Sequence, residues 1–361
     1  MSHYEERLEK DLLKIRTRVA EMGAWVEEAL ANAIRALETN DYTLASTTIL
    51  ADHPINRRMR EIDQLCHAFI AVHLPSAGHL RLLSAVIRAN IALERIGDYA
   101  VTISRVSKQL SSVPEGHMAN ELARIANEAK VMLNQSIAAF NDLNPDAARA
   151  TMVMESEMEF DLDAIYAELM ANSEREKVKN LLAVFIIFTH LKRVADQAKN
   201  LCEETIFAAT GETKAPKVYN ILFVDGDNSC LSQIAEAFAA KTFPGSGKYS
   251  SGGSNPADTL DPAMVEFMQA HGFDMSDAAP KPLNLTHHEL SDKHVIVSLD
   301  GPVKDHLPLI PFHTTGAVWD IDVPPPGEGT NLTNEQMESV YRQIATEVRD
   351  LMQILRGEDA P

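Results

Sequence analysis

One helical seam limits what this chain can fold into. Leu93-Glu94-Arg95-Ile96-Gly97-Asp98 returns in weaker form as Leu191-Lys192-Arg193-Val194-Ala195-Asp196, at an offset of 98 residues. On a helix, residues four apart share a face, so the spacing predicts the Glu94 and Asp98 carboxylates side by side. Ile87, Ile91, Glu94, Asp98 and Val101 follow a 4-3-4-3 spacing. That is a heptad seam with acids in two places where apolar residues belong. A carboxylate on a packed seam is costly unless a cation meets it. Arg95, a lysine of another chain or a metal would supply one, whereas on an isolated helix a solvated acid pair explains the same residues.

The echo makes the seam a repeat. The same offset carries Glu61-Ile62-Asp63 onto Glu159-Phe160-Asp161, and Ala100 onto Ala198. Two duplicated landmarks at one offset predict a tandem unit of roughly a hundred residues. In each unit an acidic helix segment precedes the seam by a long helix and a turn. Antiparallel packing then predicts Asp63 beside Glu94 and Asp98, with Asp161 and Asp196 as the candidates of the second unit. Hard, oxygen-rich clusters of this kind suit iron, zinc, manganese or magnesium, and the residues do not choose among them.

Apolar periodicity extends the helical reading over the first two-thirds of the chain. Leu8, Leu12, Ile15, Val19, Met22 and Val26 predict a helix over 4–40, ended by Asn40-Asp41. Further helices are expected at about 55–74, 79–110, 118–141, 145–170 and 174–209. Short turns at Pro75 to Gly78 and Asn144-Pro145 imply antiparallel neighbours. The net charge of −19 argues against nucleic acid and anionic membrane surfaces as direct partners. Three scattered cysteines without ligand spacing fit a reducing cytoplasm. Glu5, Glu6 and Glu9 do not resemble a secretory leader, and the most apolar run, Leu181 to Phe188, is too short for a membrane span.

The duplicated L-E-R-I-G-D motif resembles the PhoU family of phosphate-signalling proteins over residues 5–214. Asp52 to Asn56, Pro75 and Leu80-Arg81 are further landmarks of the resemblance. It implies an all-α architecture of tandem three-helix bundles, residues 1–113 and 114–210, with metal clusters on the E-x-x-x-D faces. It also implies a homodimer that regulates phosphate uptake through the phosphate ABC transporter ATPase and its sensor histidine kinase. Any membrane association would then come through those partners. Two positions depart from the family pattern. Lys192 stands where an acid is expected, predicting an internal pair with Asp196 and a weak or missing second metal site. His79 replaces an acid before Leu80-Arg81.

The character changes at a short linker, residues 211–217. Tyr219 to Val224 is a short apolar run bounded by turn residues, the pattern of a buried parallel strand. Strands at about 248–252, 294–299 and 317–320 alternate with helices at about 231–242, 261–271 and 334–356. Residues 218–361 therefore predict an open parallel α/β sheet with its ligand loop at Asp225 to Leu231. Strand, loop and helix, with Asn228-Ser229, Ser232-Gln233 and Ala235-Glu236-Ala237, resemble the low-molecular-weight tyrosine phosphatase and arsenate reductase family. Asn228, Ser229, Cys230 and Ser232 would form its phosphate loop.

That family needs a thiolate nucleophile and, six residues later, an arginine. Here those places hold Asp225 and Leu231, and the general-acid place holds Val323. A negative charge where phosphate should arrive, with no bidentate clamp, predicts a pseudo-phosphatase. Cys230 lacks a partner thiol and reads as inert. An alternative uses Asp225 as a magnesium-dependent nucleophile and Asp227 as its proton carrier, as in haloacid-dehalogenase-like phosphatases. Ser298, Lys304, Asp320 and Asp322 would complete that site.

Overall fold

The computed structural model describes residues 3–110, 114, 116–154, 170, 175–311, 314–323 and 332–357. The chain divides into two compact units, Met1–Lys214 and Ala215–Pro361, a division that falls inside the 211–217 linker.

The first unit is helical: α1 (His3–Thr39), α2 (Tyr42–His73), α3 (Ala77–Ser107), α4 (Gly116–Asp142), α5 (Pro145–Met152) and α6 (Arg175–Thr210). The apolar stripe of α1 buries Ile15, Val19, Met22, Val26 and Leu30 against α2 and α3. The two seam helices, α3 and α6, pack on each other and bury Leu93, Ile96, Leu191 and Val194 completely or nearly so. Asp41 caps α2 by accepting from the amides of Thr43 and Leu44. Contrary to a start near residue 55, α2 is continuous from Tyr42 and carries Pro54 inside it. Pro54 removes one helix hydrogen bond, to the carbonyl of Leu50, and the exposed position of Leu50 lets water replace it.

The duplication is not of fixed length. Left-handed Asn40 and Leu143, and the caps Asp41 and Asn144, lie 103 residues apart rather than 98. The seam offset therefore does not carry unchanged to the start of the second helix.

The second unit is a four-stranded parallel sheet of order β2-β1-β3-β4. Its strands are β1 (Tyr219–Asp225), β2 (Gly247–Gly253), β3 (Val295–Ser298) and β4 (Thr315–Val318). Its helices are α7 (Leu231–Thr242), α8 (Pro262–Ala270), α9 (His287–Ser291), α10 (Val303–His306) and α11 (Asn334–Arg356). Ile221 and Phe223 face the core under α7, α8 and α11, while Leu222 and Val224 face Val303 and Leu307. β1 is buried on both faces, which is why it reads as an unbroken apolar run. The sheet turns outward in both directions from β1, placing the loop after β1 at the topological switch point.

Candidate functional site

In the helical unit the acids come from two helices. α2 and α3 run antiparallel in a register that sets Asn90 opposite Asp63 and Ile55 opposite Gly97. Asn90 Nδ2 donates to Asp63 Oδ1 at 2.9 Å and to the Met59 carbonyl at 2.9 Å. Asp63 is thereby drawn to Asn90, more than two turns from Asp98 along the seam. The third carboxylate beside Glu94 and Asp98 is instead Asp52, close over Gly97: a Cβ added there would lie 3.7 Å from Asp52 Oδ1. The expected partner is corrected by eleven residues, because helix register and not acid content decides which side chains meet.

Asp52, Glu94 and Asp98 repel one another. Burial, then Asp98, raises the Asp52 carboxyl above its ordinary range, although His53, Asn56 and Arg105 partly offset this. Burial, then Asp98 and Asp52, raises Glu94 likewise, with Arg95 opposing. Asn56 Nδ2 donates to Asp52 Oδ2 at 2.6 Å, but Asp52 Oδ1 is buried with no donor. A buried carboxylate oxygen without a partner, facing two further acids, is the chemistry of a cation site. Among the described residues no group of three or more His, Cys, Asp or Glu side chains is placed so as to hold a metal ion. The chemistry of the donor set suits a hard cation that keeps part of its water, provided that the three carboxylates close on it. Asp52, Glu94 and Asp98 would hold it, with Asn56 orienting Asp52.

The second repeat offers less. Lys192 and Asp196 are half-buried on α6, each engaged with a partner. Asp161 lies outside the described residues. Cys66 and Cys202 are free thiols pushed up to about 12 by burial, which suits core packing rather than ligation.

In the α/β unit a cleft of about 520 Å³ opens over the loop after β1. Asp225, Gly226, Asp227, Ser229, Cys230 and Leu231 of the loop line it together with Ser254, Asn255, Asp261, Asp300, Val323 and Leu332. Among the described residues no Lys or Arg lines it, and the positions of Leu231 and Val323 carry neither the clamp nor the acid of a phosphatase.

Asp225 is fully committed inside the protein. Its Oδ1 accepts from the Asn228 amide at 2.6 Å and its Oδ2 from the Ser232 amide at 2.9 Å. These are amides of a loop whose kind cradles a phosphate, so a resident carboxylate takes two donors that an incoming anion would want. Burial raises the Asp225 carboxyl, opposed by the hydrogen bonds from Ser232 and Asn228. Asn228 adopts the left-handed conformation and is buried, donating from Nδ2 to Ser232 Oγ at 2.7 Å. Its Oδ1 accepts from Gln233 Nε2 and from the Lys281 amide. Gly253 presses on this loop, since a Cβ there would meet the Asn228 nitrogen at 2.8 Å.

Asp227 accepts from the Ser229 amide and hydroxyl, closing a small turn. Cys230 is pushed up to about 12 by burial, then by Asp261, Asp225 and Asp227, so it holds no thiolate at neutral pH. Asp320, Asp322 and Lys304 are not among the residues lining the cleft, and Asp322 is joined through its amide to Gln343. The constellation expected for an aspartate-based phosphatase is not assembled there.

Comparisons with known proteins match both units. The chain matches the PhoU domain family over residues 19–107 and 122–205, and the low molecular weight phosphotyrosine protein phosphatase family over 220–360. A phosphate-specific transport system accessory protein PhoU homolog of Synechocystis sp. is 31% identical over 215 residues, spanning 58% of this chain and 93% of the relative. The accessory protein PhoU of Escherichia coli K12 is 27% identical over 212 residues, spanning 58% of this chain and 88% of that protein. The crystal structure of PhoU from Pseudomonas aeruginosa superposes with a TM-score of 0.54 at 27% identity, covering 56% of this chain and 99% of that one. The chain belongs to the PhoU family, and it carries a low-molecular-weight phosphatase-like domain after its helical unit.

Proposed function

We propose that this protein is a metal-binding regulator of phosphate transport whose phosphatase-like domain has lost phosphatase chemistry and serves as an interaction module. The PhoU relatives support the regulatory role, being named accessory proteins of the phosphate-specific transport system. The observation that carries the metal is Asp52 Oδ1, buried without a donor beside Glu94 and Asp98. A bound cation would cancel the repulsion among carboxylates on α2 and α3, so occupancy would tighten the packing of those helices. Iron, zinc, manganese and magnesium all suit carboxylate and carboxamide oxygens.

The regulator works by binding: it engages the transporter ATPase and the sensor kinase, and differential affinity shifts their states. No described helix is long and apolar enough to cross a membrane, consistent with membrane contact through partners. Replacing Asp98 with Ala should lower bound metal at least tenfold, and unchanged stoichiometry would sink the assignment.

Asp225, engaged through both oxygens, supports an inactive phosphatase site and disfavours the aspartate-nucleophile reading. Phosphate release from an aryl phosphate, with magnesium and with chelator, separates the two. Turnover that disappears in Asp225→Asn would overturn the inactive reading.

A further inference from the structure

Beside the loop after β1 stand three residues that neither reading uses. Ser254 follows β2, Asp300 follows β3, and His306 ends α10. His306 Nδ1 lies 3.3 Å from Ser254 Oγ, and His306 Nε2 lies 2.8 Å from Asp300 Oδ1. The second contact is within ion-pair reach but off the hydrogen-bond axis, so Nε2 has no well-aligned acceptor. Catalytic hydrogen bonds without substrate are often loose in this way. The other oxygen of Asp300 accepts from the Gly226 amide at 2.7 Å, which anchors the carboxylate independently of the histidine. The His306 side chain is only 7% exposed, whereas Ser254 is exposed and both Ser254 and Asp300 line the cleft. The Ser254 hydroxyl also reaches the Gly226 carbonyl at 3.4 Å.

An exposed hydroxyl, a buried imidazole and an anchored carboxylate in sequence form the nucleophile, base and orienting group of a serine hydrolase. We infer that Ser254, His306 and Asp300 form an acyl-transfer site that hydrolyses carboxylic esters. Asp225, Asp227, Asp261 and Asp300 in the cleft repel anions, so the ester is neutral or cationic. Ser254 Oγ bonds to the carbonyl carbon while its proton passes to His306 Nδ1. The ester C–O bond then breaks, and that proton leaves with the alcohol. Water attacks the acyl-serine, giving its proton to Nδ1, and Ser254 regains a proton as the carboxylic acid departs. Asn255, next in the chain and in the cleft, is the side-chain amide available to the developing oxyanion. The inference uses the α/β unit alone and stands apart from the metal site.

The test is labelling of the full-length protein by a neutral alkyl fluorophosphonate, read by intact mass and peptide mapping, beside hydrolysis of p-nitrophenyl acetate. One adduct on Ser254 is expected, absent in Ser254→Ala and formed roughly a hundredfold more slowly in His306→Gln. Ester turnover should fall in parallel in both variants. No adduct on Ser254, or an unchanged labelling rate in folded His306→Gln, would overturn the inference. If His306→Gln fails to fold, the wild-type labelling rate against pH decides: a rate that rises with pH supports the base, and a flat profile refutes it.

Discussion

Two acidic centres in this chain look alike in sequence and differ in how their charge is met. In the helical unit Asp52, Glu94 and Asp98 face one another, and one buried oxygen of Asp52 receives nothing. In the α/β unit Asp225 is more deeply buried yet both its oxygens accept amide hydrogen bonds. The first centre is only partly offset by His53, Arg95 and Arg105; the second has consumed the donors that would have served a ligand. Burial of a carboxylate therefore says little about function until its acceptors are counted. An unmet acid points outward to a cation, and a satisfied acid holds a loop in place.

The contrast can be broken by mutation, and the largest effect is expected at Asp225. Asp225→Ala strands the buried amides of Asn228 and Ser232, and should destabilise the α/β unit by about 3 kcal/mol. Urea unfolding followed by Trp319 fluorescence would measure it, and a loss below about 1 kcal/mol would mean that the loop does not depend on Asp225.

Gly253→Ala comes next. Its Cβ would meet the Asn228 nitrogen and the Asp227 carbonyl carbon at 2.8 Å, both backbone, so the loop must move. A cost of about 2 kcal/mol is expected in the same experiment.

The helical centre should respond in the opposite sense. Without metal, Asp52→Asn removes one of three mutually repelling charges and should stabilise the unit by at most about 1 kcal/mol at neutral pH. The pH dependence follows from the direction of the shifts. Asp52 and Glu94 are raised, so the folded state binds more protons than the unfolded state between the ordinary and the raised values. Stability thus falls as pH rises through that window, and below it the advantage of Asp52→Asn vanishes. Thermal unfolding in chelator from acidic to neutral pH would show this. A wild-type helical unit that gains stability with rising pH there would contradict the repulsion.

The smallest effect is expected at Gly97→Ala. Helix propensity favours the change by about 1 kcal/mol, while a Cβ at 3.3 Å from Ile55 Cδ1 opposes it by a similar amount. Stability should hardly move, but the added methyl crowds Asp52 and should weaken metal binding.

Much of the architecture was legible before any coordinates. The seam announced itself because helix packing fixes apolar spacing, and β1 because burial on both faces removes polar residues from Ile221 to Val224. Asp52 was visible as a landmark but not as a neighbour of Glu94. Which acid on α2 meets α3 depends on the pairing register, and Asp63 and Asp52 are equally acidic in a string of letters. Pro54 concealed that α2 is one helix, because its local propensity is overridden by the packing of Ala45 and Thr48 before it and of Ile55 and Ile62 after it. The role of Asp225 was legible only as a missing thiolate. That it would replace the anion by accepting from its own loop needed the left-handed turn at Asn228, which brings the amides around. Ser254, Asp300 and His306 lie on three separate segments with no spacing signal to join them.

The contrast is tested most directly by equilibrium dialysis of full-length protein against manganese, with bound metal measured for wild type, Asp98→Ala and Asp225→Asn. Metal bound by wild type and by Asp225→Asn, and lost from Asp98→Ala, is the predicted result. Metal retained by Asp98→Ala, or lost from Asp225→Asn, would place the cation elsewhere and contradict the account.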